Sequence, residues 1–374
     1  MACITRLALT DFRNYRRLSW QPAQPVTVIT GPNGSGKTNL LEAVSLLVPG
    51  RGLRGARMDE LPRHGASLWG VAAQVEGMDG DEALSAQLAT GADPLRPERR
   101  VFRVDGQALR NRDGVGEYFS AVWITPQMDR LFLEGAGGRR RFLDRLVQAL
   151  EPGHARELAA HDRAMAQRSR LLAQRNPDPA WLVALEHTMA RHAVATVAAR
   201  MDMVSRLNTD EQALADGFPA ARLELECDIA AHLATRPALA VEDWLAGQIA
   251  HTRGIDRQRG GCRFGAHRTG LALADRVSGR AAVQSSTGQQ KALLLGIVLS
   301  HARILAACRG QVPMLLLDEP LVHLDEARRQ ALFRAVGRMN TGVFLTGTDA
   351  EQFAPLRSHA AFETPGAGNL AHEA

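Results

Sequence analysis

Lysine is almost missing from this chain. Of 45 basic residues only Lys37 and Lys291 are lysines, and all the others are arginines. Cysteine is scarce too. Cys3, Cys227, Cys262 and Cys308 stand far apart with no C-x-x-C pair, which argues against a structural zinc or a disulfide framework and suits reduced thiols. No apolar run is read as long enough for a membrane span; the greasiest stretch, Ala292 to Val298, is soon followed by His301 and Arg303. Arg6, Asp11 and Arg13 interrupt the N-terminal region where a signal core would lie. No internal repeat or long low-complexity tract is present. The expectation from these absences is a cytoplasmic protein with no membrane partner. The formal net charge of +5 is modest; it admits an acidic partner, nucleic acid being the commonest, without requiring one.

The surviving lysine marks the first motif. Gly31-Pro32-Asn33-Gly34-Ser35-Gly36-Lys37-Thr38 fits G-x-x-x-x-G-K-[ST], a loop whose backbone amides cradle phosphates. A compact ammonium slips under the β- and γ-phosphates, where a planar guanidinium fork is too wide. The context also fits. A β-branched run from Val26 to Thr30 stops at Gly31, and Leu40, Leu41, Val44, Leu47 and Val48 then recur at helical spacing until Pro49-Gly50. In a strand–loop–helix unit the loop amides and the helix N-terminus converge on one anion. The prediction is ATP with Mg2+.

Around this unit the N-terminal third reads as strands: Leu7 and Leu9, then Val71, Ala73 and Val75, then Val101 to Val104 before an Asp105-Gly106 turn. From Arg139 the pattern turns helical, with a stripe of Leu143, Leu146, Val147 and Leu150 and an arginine-dotted helix to about Gln174. After the turn Asn176-Pro177-Asp178-Pro179, a long seam follows: Leu182, Leu185, Met189, Ala193, Val197, Met201 and Val204. A strand-like alternation covers Leu223, Leu225, Cys227 and Ile229, and a helix covers Val241 to Ile249. Helical Ala292 to Ala307 and the runs Met314 to Leu317 and Val343 to Thr346 restore an α/β pattern; the tail from Thr364 is expected to fray. The expected division is a head domain formed by 1–138 and 253–374, with a helical arm inserted over 139–252.

Met314-Leu315-Leu316-Leu317-Asp318-Glu319-Pro320 is the second motif: a buried strand feeding two carboxylates. Asp318 and the Thr38 hydroxyl are the candidate Mg2+ ligands, Asp318 through water. Glu319 is the candidate general base for an attacking water. Lys37, Asp318 and Glu319 thus form the expected catalytic set.

The third motif, Ser286-Thr287-Gly288-Gln289-Gln290, precedes that strand and opens a helix. It resembles the S-x-G-Q signature of ABC-type ATPases, in which one subunit's signature covers the γ-phosphate held by another. Ser286, Gly288 and Gln289 are therefore expected to contact nucleotide from a second copy. Gln127 is assigned to the Q-loop, with Asp129 a competitor, and Leu324-Asp325 resembles the D-loop. Lys291 either extends the positive helix end or faces solvent. A switch histidine is missing; Thr346-Gly347-Thr348-Asp349 stands there, with Thr348 the candidate γ-phosphate sensor.

Leu9-Thr10-Asp11-Phe12-Arg13-Asn14-Tyr15, Gly34 to Ala43, Thr125-Pro126-Gln127, Arg139 to Asp144 and Leu324 to Arg329 together resemble the RecF family of bacterial recombination mediators. The resemblance runs end to end. It implies an α/β ABC-type ATPase head, a P-loop fold with a mixed sheet and an inserted short, mainly helical arm similar to SMC heads. It further implies weak ATPase activity, an ATP-induced homodimer, binding of single-stranded or gapped DNA, and cooperation with RecO and RecR in loading RecA during DNA repair, replication restart and the SOS response. Gly265-Ala266-His267-Arg268 resembles the family's Gly-Pro-His-Arg but continues as Thr269-Gly270 instead of an acidic pair. The clusters Arg51/Arg54/Arg57, Arg139/Arg140/Arg141 and Arg253/Arg257/Arg259/Arg263 are candidate DNA contacts. A transporter ATPase would have a shorter gap between P-loop and signature, and a chromosomal ATPase would have hundreds of heptad residues.

Overall fold

The computed structural model describes residues 3–79, 82–109, 112–366 and 370–372. Two compact units result. One comprises Met1–Asp129, Gln212–Ala220 and Ser286–Ala374, the other Arg130–Glu211 and Ala221–Ser285.

Two six-stranded sheets build the first unit. The antiparallel sheet runs in the order Tyr15–Trp20, Cys3–Phe12, Gly70–Asp79, Glu82–Asp93, Arg96–Val104 and Gln107–Ala108. Its alternation puts Leu7, Leu9, Val71, Ala73 and Val75 on a buried face. The other sheet runs Leu370–His372, Ala361–Pro365, Val26–Thr30, Val343–Gly347, Met314–Leu317 and Ala121–Ile124. All its neighbours are parallel except the antiparallel edge strand Leu370–His372. Strands buried on both faces read as continuous apolar runs, and Met314 to Leu317 are fully buried. Leu40, Leu41 and Val44 of helix Lys37–Ser45 share a core cluster with Leu7, Leu9 and Val71 from one sheet and Leu316 and Phe344 from the other.

That helix ends at Ser45, ahead of the expected Val48. The Ser45 hydroxyl donates to Glu42 O and accepts from Leu53 N, both at 2.7 Å. Arg100, from the antiparallel sheet, then donates to Leu46 O, Val48 O and Gly50 O at 2.6 to 2.9 Å. A cation on the last carbonyls complements the helix dipole. The tail does not fray from Thr364: Ala361–Pro365 lies beside Val26–Thr30, and Leu370–His372 pairs with it. Residues 367–369 and 373–374 of that tail lie outside the described residues. Among the described helices, Thr287–Arg309 alone has the length and mean hydropathy (1.6) to suit a bilayer, contrary to the sequence reading; 78% of its apolar window is buried, so core packing accounts for the composition.

The second unit is mainly helical. Its long helix Pro179–Thr209 is capped by Asp178, which accepts from Ala180 N and Trp181 N. The seam from Leu182 to Val204 is core, with Met201 only partly buried. This unit is wider than the expected 139–252. Strand Gly270–Asp275 pairs with Ala221–Glu226 and ties 253–285 into it, while Gln212–Ala220 packs in the first unit, Pro219 and Phe218 lying against Gly296. Cys227 and Ile229 do not continue the strand, because the chain enters helix Asp228–Leu233 there. Two arginines of this unit are fully buried. Arg168 is 1% exposed and donates to Glu186, Asp256 and Ile249 O. Arg200 is equally buried and forms a fork to both oxygens of Asp144 at 2.7 and 2.9 Å.

Within the same unit, the loop Gly265-Ala266-His267-Arg268 brings two imidazoles together. His161 and His267 have ring centroids 5.6 Å apart. Nδ1 of His161 faces Asp162 and Nε2 of His267 faces Cys262 O, while the opposite nitrogens have no hydrogen-bond partner among the described residues. Both of those nitrogens border Gly265, whose φ of +139° and crowded Cα leave no room for a side chain. Desolvation holds both imidazoles below their ordinary pKa, and nearby Arg200, Arg140 and Arg268 push the same way, against Asp162. The unfolded chain therefore binds protons that the folded unit refuses. Stability is complete above about pH 6.5 and falls as pH drops from there toward the lowered folded values. Denaturant melts at pH 7.5 and 5.5 should show this loss, and His161→Gln should reduce it; equal slopes in both proteins would refute the assignment.

Candidate functional site

The C-terminal ends of the parallel strands share one edge of their sheet, the edge where open α/β sheets bind ligands. Val26–Thr30 leads into the glycine loop and Met314–Leu317 into Asp318-Glu319. Val343–Gly347 lies between them, pairing Leu345 with both Val28 and Leu317. This order brings residues from three distant parts of the sequence to one place.

Gly31, Gly34 and Gly36 have φ of +146°, +84° and +103°, a region L-residues rarely adopt. At Gly36 a Cβ would also lie 2.5 Å from Tyr15 Oη and 2.7 Å from Asn14 Nδ2. The loop curls around the Lys37 ammonium, which donates to Gly31 O at 2.6 Å and Pro32 O at 2.9 Å. Burial holds its pKa below the ordinary value, while Glu319 and Asp318 pull it back up. Asn33, Gly34, Gly36, Lys37, Thr38, Asn39, Arg54 and Glu319 line an open cleft of about 220 Å³. Ser35 sits inside the loop with its Oγ against Gly31.

Asp318 lies behind this cleft, 3% exposed. Its Oδ1 accepts from Thr38 Oγ at 3.0 Å and from Thr346 Oγ at 2.7 Å. The Thr346 oxygen in turn accepts from the Glu319 amide at 2.9 Å. Glu319 itself adopts φ +47°, a left-handed conformation for a non-glycine residue. Lysine, hydroxyl and two carboxylates are thus gathered around a lined, polar opening.

Beneath the loop, Glu42 is fully buried and receives a two-pronged contact from Arg13 at 2.7 and 2.8 Å, plus Arg54 at 3.2 Å. Arg54 also donates to Asn39 Oδ1 at 2.6 Å. Arg54, one of the candidate DNA contacts, thus also lines the cleft. Its signal was hidden because nothing in an R-x-x-R spacing reveals a buried carboxylate partner.

The signature residues form their own feature. Ser286 caps helix Thr287–Arg309 in a reciprocal pair, its Oγ accepting from Gln289 N at 3.3 Å and Gln289 Oε1 accepting from Ser286 N at 3.0 Å. A Cβ on Gly288 would come within 2.5 Å of His323 O, so only glycine fits against the backbone after Asp318-Glu319. Ser286, Gly288 and Gln289 are not among the residues lining the Lys37 cleft. Lys291 is neither solvent-facing nor part of the helix end: it is fully buried and paired with Asp129 at 2.9 Å. Asp129 is thereby occupied. Gln127 is exposed in the turn Pro126–Arg130 and does not line the cleft. Asp325 caps helix Glu326–Arg338 by accepting from Arg328 N. Thr348 is exposed, and Thr346 is the buried residue that meets the Asp318 carboxylate and the Glu319 amide.

The family model described as RecF/RecN/SMC N terminal domain matches residues 3–359. The DNA replication and repair protein RecF of Rhizobium rhizogenes is 41% identical over 371 residues, covering 98% of each chain. The solved structure of the recombination mediator protein RecF-ATPrS in the RecFOR pathway superposes with a TM-score of 0.86 at 22% identity, covering 100% of this chain and 98% of that one. An Smc head domain with an extended coiled coil from Pyrococcus furiosus, bound to the C-terminal domain of ScpA, gives 0.53 at 15% identity over 100% and 96% of the two chains. These likenesses carry the ABC-type ATPase head fold, and the first two span nearly all of the chain: it belongs to the RecF/RecN/SMC family, among the RecF proteins.

Proposed function

We propose that this chain is a DNA-binding ATPase of replication and recombinational repair whose heads close on each other around ATP. The observation that carries the reading is the split of the site. The Lys37 cleft gathers the phosphate loop, Asp318 and Glu319, yet the signature serine and glycine lie outside its lining. A second copy supplying Ser286, Gly288 and Gln289 would complete it.

In this reading Gly31, Pro32, Asn33, Gly34, Ser35 and Gly36 present the loop backbone to the phosphates, and Lys37 contributes the compact charge. Gln127 is assigned to the cofactor set as well. Thr38 Oγ and Asp318 Oδ1, 3.0 Å apart beside the ammonium, are hard oxygen donors of the kind Mg2+ accepts alongside water and phosphate oxygens. Bound there, Mg2+ would offset phosphate charge. Glu319 lines the cleft and takes the proton from the attacking water. Slow turnover then reopens the dimer. RecF relatives named for DNA replication and repair, and a solved relative described as a recombination mediator in the RecFOR pathway, support DNA as the partner. RecO and RecR are proposed as co-workers in RecA loading. A cytoplasmic location fits that work.

Several expected DNA-contacting arginines are otherwise engaged: Arg139 donates to Leu271 O, Arg140 to Thr269 O, and Arg253 to Glu186. Arg51, Arg57, Arg141, Arg259 and Arg263 keep exposed side chains and remain the candidates.

Sedimentation tests the sandwich. With saturating ATP, wild type should dimerise, Glu319→Gln should accumulate as a longer-lived dimer, and Ser286→Arg should bind ATP but stay monomeric; a monomeric Glu319→Gln protein would refute the reading. For DNA, Arg141→Glu and Arg259→Glu should weaken binding across sequences and each reduce the salt slope by about 1. Affinity and slope unchanged in both variants would remove these arginines from the interface.

A further inference from the structure

The motif that departs from the ABC pattern is Thr346-Gly347-Thr348-Asp349, where the side chain expected to sense the γ-phosphate is absent. The structure shows what stands there instead. Gly347 cannot carry a side chain, because a Cβ would lie 2.4 Å from the ring of Phe353, itself buried. Thr348 points to solvent-exposed surface and Asp349 caps the following turn by accepting from Glu351 N. The one polar side chain this strand presents to the carboxylates is Thr346, which is fully buried.

Its single hydroxyl does two things. It donates to Asp318 Oδ1 at 2.7 Å and accepts from the Glu319 amide at 2.9 Å. It therefore holds the Asp318 carboxylate and the amide of the peptide that follows it. That peptide leads into Glu319 at φ +47°, a conformation that costs a non-glycine residue on the order of 1 kcal/mol or more. The strand register explains why Thr346 can do this: Leu345 pairs with Leu317, so Thr346 stands level with Asp318. Asp318 Oδ1, already accepting from Thr38, is fixed from both sides.

We infer that Thr346 is a positioning residue for hydrolysis: its hydroxyl fixes Asp318 and imposes the left-handed turn that aims Glu319 into the phosphate cleft. The inference rests on the ATPase reading above. It assigns to the central strand a part in turnover through the two carboxylates, with no contact to nucleotide. A misplacement of a catalytic group by about 1 Å can cost on the order of 100-fold in rate, with little effect on binding made elsewhere.

The test compares Thr346→Val, Thr346→Ser and Lys37→Ala with wild type, measuring ATP affinity and single-turnover hydrolysis on the full chain. Thr346→Val should keep ATP affinity within about threefold while hydrolysis falls roughly 10- to 100-fold. Thr346→Ser keeps the hydroxyl and should turn over within about threefold of wild type. Hydrolysis by Thr346→Val at the wild-type rate overturns the inference alone. So does a Thr346→Ser protein as slow as a hydroxyl-free one, whatever the stability of Thr346→Val, since the hydroxyl would then not be the active feature. Wild type and Lys37→Ala binding ATP equally would overturn the ATPase reading itself, and the inference with it.

Discussion

One carboxylate oxygen ties the head together. Asp318 Oδ1 accepts from Thr38 at the start of the phosphate-loop helix and from Thr346 at the end of the neighbouring strand. Through it, the three chain segments that build the cleft are held by hydrogen bonds in a buried setting, where such bonds resist competition from water. An aspartate is suited to this place because its two oxygens can divide the work. One is fixed by hydroxyls from both sides, and the carboxylate as a whole keeps acceptor capacity toward the cleft. The parallel sheet makes the geometry possible. Because Val343–Gly347 pairs directly with Met314–Leu317, its threonine stands beside the aspartate and the glutamate amide that follow that strand.

Arginine chemistry organises what surrounds that centre. Arg13 clamps the fully buried Glu42 on the phosphate-loop helix with a two-pronged contact, and Arg100 occupies three carbonyls beyond the end of the same helix. A planar fork with several fixed donors serves these sites better than an ammonium. In the second unit the buried Arg168 and Arg200 bridge carboxylates and backbone carbonyls in the same way. A chain that has nearly abandoned lysine thus uses arginine as an internal fastener. Lysine is retained at Lys37, where a fork would not fit, and at Lys291, where a compact charge is sealed against Asp129.

Much of this was legible in the sequence because periodicity and glycine placement are local properties. The phosphate loop, its helix, the Met314–Leu317 strand and the long seam from Leu182 all declare themselves by spacing. What escaped were features fixed by partners distant in sequence. The strands Tyr15–Trp20, Glu82–Asp93 and Ala121–Ile124 carry too little pattern of their own. The pairing of exposed Arg54 with Glu42 left no local signal, because the burial of Glu42 is a tertiary fact. Lys291 looked terminal because Asp129 is far upstream. The limits of the second unit were misjudged for the same reason: the pairing of Ala221–Glu226 with Gly270–Asp275 draws in residues whose composition resembles the head.

The missing switch histidine shows how a family pattern can be altered while its carboxylate centre is kept. A side chain on the residue after Thr346 is excluded by the Phe353 ring, so that strand cannot reach outward to a phosphate from this position. It can still reach sideways. Thr346 lies level with Asp318 and within hydrogen-bond distance of the following amide, so the strand acts on the Asp318 carboxylate and on the backbone of Glu319. Under the proposed hydrolysis, a sensor that touches phosphate and a residue that sets Glu319 would be different physical solutions to one requirement, that Glu319 be aligned when the cleft is filled. The first couples alignment to the ligand; the second builds alignment into the apo fold, at the cost of a left-handed glutamate. In the proposed head-to-head sandwich, a base already set in each head would leave the arrival of the second signature as the step that gates turnover.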